Sequence, residues 1–240
     1  MRLATFFSAT AVLAVIGVGA FVAYAYEPEL EALERVDPAS FDAALVAEGR
    51  QLAAVGNCIA CHTLPGGRSF AGGLPLPTPF GIIHSTNITP DPVTGIGAWS
   101  QAAFTRSMRE GVDREGRHLY PAFPYDHYTR VSDADNRALY AYLMTRRPVV
   151  TDEPANGLPF PLNVRMTVAG WKALFFEPGA FQPDPSRSAV LNRGAYLVEG
   201  LGHCGGCLVA AVPVSVGVLS TSYGALRDCV GLLGWAMGPR

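Results

Sequence analysis

The chain has 240 residues, enough for one large domain or two of about 100–150 residues each. Hydrophobic residues make up 49% and charged residues 16%, against about 25% charged in an average globular protein, so disorder throughout is excluded. Eighteen Lys and Arg against twenty Asp and Glu leave a net charge of -2. Without a bulk positive field to hold a phosphate backbone, nucleic acid is not an expected partner. Gly 26 and Pro 19 together exceed the usual share of about 12%, which predicts much turn and loop.

After Arg2, residues 3–26 contain no charge. As a helix at about 1.5 Å per residue this stretch covers a bilayer core, so residues 1–26 are expected to be a transmembrane anchor. A cleaved signal peptide is the alternative, with Ala23-Tyr24-Ala25 as its cleavage site, and a buried soluble helix is the third reading. The one positive charge lies on the N-terminal side and places residues 27–240 outside the cytoplasm.

Residues 27–39 are acidic and read as a stalk. Ser40 is the expected N-cap of a helix with Phe41, Leu45, Leu52 and Val55 on one face, running into Cys58. Residues 64–97 are rich in Pro, Gly and Thr and show no sustained period, which predicts a long ordered loop. A loop of that length in a compact domain calls for a non-protein group packed inside it. A second helix is expected from Ser100 as N-cap, with Phe104 and Met108 on one face and Gly111 as its stop. After another loop, Ser132 caps a third helix whose stripe is Leu139, Tyr140, Leu143 and Met144, closing a domain over residues 40–148. Residues 149–188 read as a Pro-rich linker with one short helix at 168–176. Residues 189–240 begin as an echo of the first unit: GAYLVEGLGHCGGCL at 194–208 follows GRQLAAVGNCIACH at 49–62. The expected fold class is all-α.

Cys58-Ile59-Ala60-Cys61-His62 is C-x-x-C-H, the attachment signal for c-type haem. On a helical turn, positions i and i+3 share a face, so both thiols can add to the two vinyl groups on one edge of a porphyrin. The adjacent histidine then binds iron as proximal ligand. Three other chemistries use such a pair. A zinc site needs four close ligands, whereas Cys204 lies far along the chain; a thioredoxin-like pair needs a βαβ setting; a structural disulfide is the third.

The stretches NCIACHT, GGLPLPTPFGIIHSTNITPDPVTGIGAWS, REGVDREGRHLYPAFPYDHYTRVSDADNRALYAYLM, LPFPLNVRMTVAGWKALFF and RGAYLVEGLGHCGGC resemble the multi-haem cytochrome c subunits of bacterial membrane-bound dehydrogenases. The resemblance covers roughly residues 40–207. It implies cytochrome c folds, typically three in tandem, that pass electrons from a catalytic dehydrogenase subunit toward quinone or an oxidase. Haem c attachment takes place outside the bacterial cytoplasm, which agrees with the topology of the N-terminal segment, so the expected location is the inner membrane with the soluble part in the periplasm.

Three departures from the family pattern bear on function. Many members read PAMPY, whose Met is the sixth iron ligand, whereas this chain has Phe123 there. Met108 and His127 are the first replacements to consider, then His118 and Met144; a Met ligand raises the potential and a His lowers it. The second motif, Cys204-Gly205-Gly206-Cys207, is followed by Leu208 where the family has His, so it reads as a disabled haem site and one haem c is expected. Residues 208–240 lack the family's continuation, which suggests a frameshift near codon 208, with a divergent tail as the alternative. The main expectation is an electron-carrier subunit, not an enzyme, whose haem packs against Phe80, Ile82, Ile83 and Tyr120. The alternatives are a five-coordinate haem protein with ligand-binding or peroxidase-like activity, and a non-functional fragment. His84, His203, Trp99, Trp171 and Trp235 read as structural.

Overall fold

The computed structural model describes the backbone of residues 2–204 and the side chains of residues 7, 8 and 10–204. Cys207, Leu208, Trp235 and the tail expected from a frameshift lie outside the described residues. Helix α1 runs over Arg2–Ala25. Among the described residues no helix is long and apolar enough to cross a membrane. The side chains of α1 described without a break are those of residues 10–25, short of the roughly 20 residues that a bilayer core takes.

Helix α2 spans Ala43–Val55, and its cap lies two residues later than Ser40, the expected cap. Ser40 instead ends a 3-10 turn, Pro38–Ser40, in which the Asp37 carboxylate accepts from Ala39 N at 2.9 Å. Asp42 caps α2, its Oδ1 accepting from Ala44 N at 2.7 Å and Leu45 N at 3.2 Å. One carboxylate oxygen takes both amide donors, and its charge is matched to the helix N-terminus. Nor does α2 run into Cys58. It ends before Gly56, Asn57 turns left-handed at φ 50°, and a separate turn, α3, covers Cys58–Cys61.

The expected long loop contains an antiparallel hairpin, β1 (Pro75–Thr78) and β2 (Gly81–His84), with Pro75 opposite His84 and Thr78 opposite Gly81. Two prolines in β1 hide its alternation, since proline cannot donate to a ladder and so sits on an edge. The rest of the loop is ordered by its own polar side chains. Buried Asn87 donates from Nδ2 to Val149 O at 2.7 Å and accepts at Oδ1 from Thr89 N at 2.9 Å. Asp91 Oδ1 accepts from Thr94 N at 2.7 Å. These bonds satisfy backbone groups that no helix or sheet satisfies.

Helix α4 (Gln101–Glu110) starts at Ser100, whose Oγ accepts from Ala103 N at 3.0 Å, and stops at Gly111 in the left-handed conformation, φ 62°. A single turn, α5 (Tyr125–Tyr128), precedes α6 (Asp133–Met144), whose cap Ser132 accepts from Asp135 N at 3.1 Å. The stripe Leu139, Tyr140, Leu143 and Met144 is buried. Helix α6 packs against α2 and α4, around a core of Leu52, Phe104, Met108, Tyr128, Leu139, Tyr142 and Leu143.

The flanking segments lie against this domain. In the expected stalk, Leu30 N donates to Arg114 O at 2.8 Å, Leu33 N donates to Ala98 O at 2.9 Å, and Arg114 pairs with Glu29 at 2.8 Å. In the expected linker, Gly157 bridges Ile82, Asn156 Oδ1 accepts from His84 N at 2.8 Å, and Leu162 O accepts from the Tyr120 hydroxyl at 2.9 Å. Helix α7 (Thr167–Phe175) then packs on α1, and α8 (Ala189–Glu199) leads to Cys204.

Candidate haem site

Cys58 and Cys61 stand at the two ends of α3, three residues apart and hence on one face. Both are free thiols, as is Cys204. Burial, and then the neighbouring Cys61, push the Cys58 thiol up to about 12; burial also raises Cys61. Both side chains are therefore protonated at neutral pH. Among the described residues no three His, Cys, Asp or Glu side chains are grouped as a metal site.

His62 follows directly, and its Nδ1 lies 2.6 Å from the carbonyl oxygen of Thr86. Burial lowers its pKa, with the Thr86 bond acting in the opposite sense. A neutral imidazole donates from Nδ1 to Thr86 and presents Nε2 as a lone pair, the state an iron ligand requires. The segment just after β2 that carries Thr86 approaches His62 beside Gly72. This residue sits at φ 72°, its N–H donates to His62 O at 2.9 Å, and a Cβ there would collide with the Thr86 and Asn87 backbone.

Apolar side chains stand uncovered in α3 and in the hairpin loop: Ile59 at 45% exposure, Phe80 at 53% and Ile82 at 45%. Ile83 and Tyr120 are half-buried. Two thiols on one face and an imidazole oriented through Nδ1 suit a flat, covalently attached ring, and the exposed Ile59, Phe80 and Ile82 are apolar side chains left for such a group to cover. Burying such a surface contributes about 25 cal/mol per Å².

The four candidates for the opposite axial position differ in their surroundings. Met108 is 6% exposed and belongs to the core cluster against which Cys58 and Phe123 pack. Phe123 occupies the loop before α5, its ring 5.2 Å from Tyr128. His127 is tied through Nδ1 to Glu199 O at 2.9 Å, with Nε2 3.9 Å from Asp126. Both nitrogens of His118 are engaged, Nε2 with Ala25 O at 2.8 Å and Nδ1 with Lys172 Nζ at 3.0 Å. Met144 is buried in α6 at 1% exposure.

The start of the second motif is brought to the first. Leu201 is 1% exposed, and its Cγ lies 3.1 Å from the point where a Gly56 side chain would begin; Cys58 Sγ lies 3.5 Å from the same point. His203 turns left-handed at φ 37° and sets its ring edge-on to Tyr128 at 5.8 Å. Cys204 is exposed. Sequence reasoning missed Thr86, Tyr128 and Leu201. Thr86 acts through its backbone oxygen, which leaves no side-chain signal, whereas Leu201 could have been found from the echo, since it lies three residues before Cys204.

The cytochrome c family's sequence profile matches residues 46–147, from within α2 to just past α6. The chain is 60% identical over 168 residues to a nicotinate dehydrogenase subunit of Pseudomonas putida, covering 70% of this chain and 14% of that protein. It is 51% identical over 166 residues to the gluconate 2-dehydrogenase cytochrome c subunit of Pantoea cypripedii, covering 68% and 38%. It is 38% identical over 169 residues to a dihaem cytochrome c-type protein of Cereibacter sphaeroides, covering 66% and 55%. The chain thus spans well under two thirds of the length of these relatives. Residues 46–147 form a cytochrome c domain, whose cofactor is covalently bound haem c, and the chain is similar to the cytochrome c subunits of dehydrogenases.

Proposed function

We propose that this chain is an electron-carrier subunit, without catalytic chemistry of its own, that accepts electrons from a catalytic dehydrogenase subunit and passes them toward quinone or a terminal oxidase. Haem c, when bound, supplies a one-electron Fe(III)/Fe(II) couple. Cys58 and Cys61 hold it through thioethers and His62 ligates the iron. The observation that carries this reading is the His62 Nδ1 to Thr86 carbonyl bond beside two free thiols, because it orients Nε2 for iron while the thiols attach the ring edge.

Met108 is the preferred distal ligand. It is buried in the cluster that Cys58 joins, whereas His118 has both ring nitrogens engaged, with Ala25 O and Lys172 Nζ. Phe123, which packs on Tyr128 and has no iron-binding atom, supports a second reading, an open distal position that takes up small ligands. Met108→Leu separates the two. On the first reading it turns a low-spin ferric spectrum high-spin, and on the second it leaves an already high-spin spectrum unchanged.

The 24 residues of α1, with Arg2 as their one charge, anchor the protein in the bacterial inner membrane and leave the haem domain on the periplasmic side. Intact mass with a pyridine haemochrome assay, on protein from a periplasm-competent host, tests the assignment. One covalent haem supports a single site with Cys204 and Cys207 disabled. Two mean that Leu208 does not block attachment, and none removes the electron-carrier reading.

A further inference from the structure

Helix α7 carries one charged residue, Lys172, and that charge is turned into the protein. Its Nζ donates to the carbonyl oxygens of Glu110 at 2.6 Å and Gly111 at 2.8 Å, and to Nδ1 of His118 at 3.0 Å. All three ammonium protons are thereby used, two of them on the last carbonyls of α4, where a cation is favoured. Through Nε2, His118 donates to Ala25 O at the end of α1. One polar network therefore ties α7, α4 and the end of α1 together.

What α7 leaves facing outward is apolar. Leu174 is 76% exposed and Phe175 65%, with Ala173 exposed beside them. Scattered apolar side chains on a surface need no explanation, but these adjoin a second uncovered apolar surface. The Phe21 ring of α1 lies 3.7 Å from the point where a side chain on Gly170 would begin, and Val22 and Tyr24 beyond it are exposed. Phe21 precedes the end of α1 by four residues, about 6 Å along a helix. An α1 of 24 residues is about 36 Å long against a hydrocarbon core of about 30 Å, so its last turn stands among headgroups, and α7 packs on that turn. Tyr24, Tyr26 and Trp171 are the amphipathic aromatic side chains that this depth favours.

Given that α1 is the membrane anchor, we propose that α7 lies in the headgroup layer of the same bilayer, with Leu174 and Phe175 entering the acyl boundary. The domain is then attached at two points. Trp171 and Phe176 pack edge-on against Tyr125 at 6.1 and 5.2 Å, and Tyr125 opens α5 two residues after Phe123. The membrane contact of α7 therefore sets how the haem crevice faces the bilayer.

The test uses the full-length holoprotein in phosphatidylcholine–phosphatidylglycerol vesicles containing a phospholipid with a diazirine in its acyl chain. After irradiation, trypsin releases residues 3–35, which hold most of α1, and residues 173–187, which begin just after Lys172. Lipid adducts are expected on both peptides in the native protein. In the Leu174→Glu, Phe175→Glu double variant, adducts on residues 173–187 are lost while haem content and the adducts on 3–35 are kept. Adducts on 3–35 alone in the native protein overturn the α7 proposal and leave the anchor standing. Adducts on neither peptide overturn the anchor reading itself.

Discussion

Gly49 of α2 and Ala138 of α6 pass backbone against backbone: a Cβ on Gly49 would collide with the Ala138 carbonyl and stand 2.8 Å from Tyr142 Cβ. The principal helix crossing of the domain depends on this missing side chain. Gly49→Ala is expected to push the helices apart and cost at least about 1–3 kcal/mol, as overpacked cores do. Guanidinium unfolding checks it. A change within about 0.5 kcal/mol, the range of a surface substitution, means that the crossing relaxes at no cost.

Cys61→Ser and His62→Ala each remove a link between chain and haem, and the apolar surface of Phe80 and Ile82 then stays in water. Little folded protein is expected to accumulate for either variant when it is produced in a periplasm-competent host. Normal accumulation with native-like circular dichroism overturns the dependence of the fold on haem.

Helix α8 is docked by a buried carboxylate. Asp135, 5% exposed, accepts from the Tyr196 hydroxyl at 2.7 Å and from Arg193 at 3.3 Å, and Ser132 N donates to the same hydroxyl at 2.9 Å. Tyr196→Phe leaves Asp135 short of a donor and Ser132 N without its acceptor, a loss of about 1–3 kcal/mol. Trypsin is expected to cut faster at Arg187 and Arg193 while the melting of the haem domain stays unchanged. Equal cutting rates mean that Leu201 holds the segment by itself.

Acid is expected to loosen the junction between α1 and the domain. Burial lowers the His118 pKa below its ordinary 6.5; the Ala25 bond opposes this and the Lys172 ammonium reinforces it. Because the folded value is the lower one, the unfolded chain takes up the proton first as pH falls. The stability that His118 contributes is complete above pH 6.5 and declines from there down to the folded value. His118→Gln is expected to flatten this part of the profile of unfolding midpoint against pH. A variant profile parallel to that of the native protein assigns the acid sensitivity to another group.

Much of the first domain was legible in the chain because the signals are local. Ser100 and Ser132 mark helix starts by accepting from amides three residues on, Gly111 marks a stop by donating to the Ser107 carbonyl four residues back, and the stripe of α6 follows the helical period. C-x-x-C-H carries its chemistry in five consecutive residues. The hairpin was not legible, because Pro75 and Pro77 erase the alternation that announces a strand. The α2 cap was misplaced because Asp37, Ser40 and Asp42 all have capping chemistry, and the choice depends on which backbone amides turn toward them.

The sequence by itself determined the haem motif, the order of helices and the apolar N-terminal stretch, since each is written in residues near one another. Only the tertiary structure decided that Thr86 orients His62, that residues 149–166 fold back over the hairpin, and that Lys172 turns inward and leaves α7 with an apolar outer face. These depend on backbone oxygens and on partners 24 to 72 residues apart. A carbonyl looks the same at every position, so its role is set by where folding brings it.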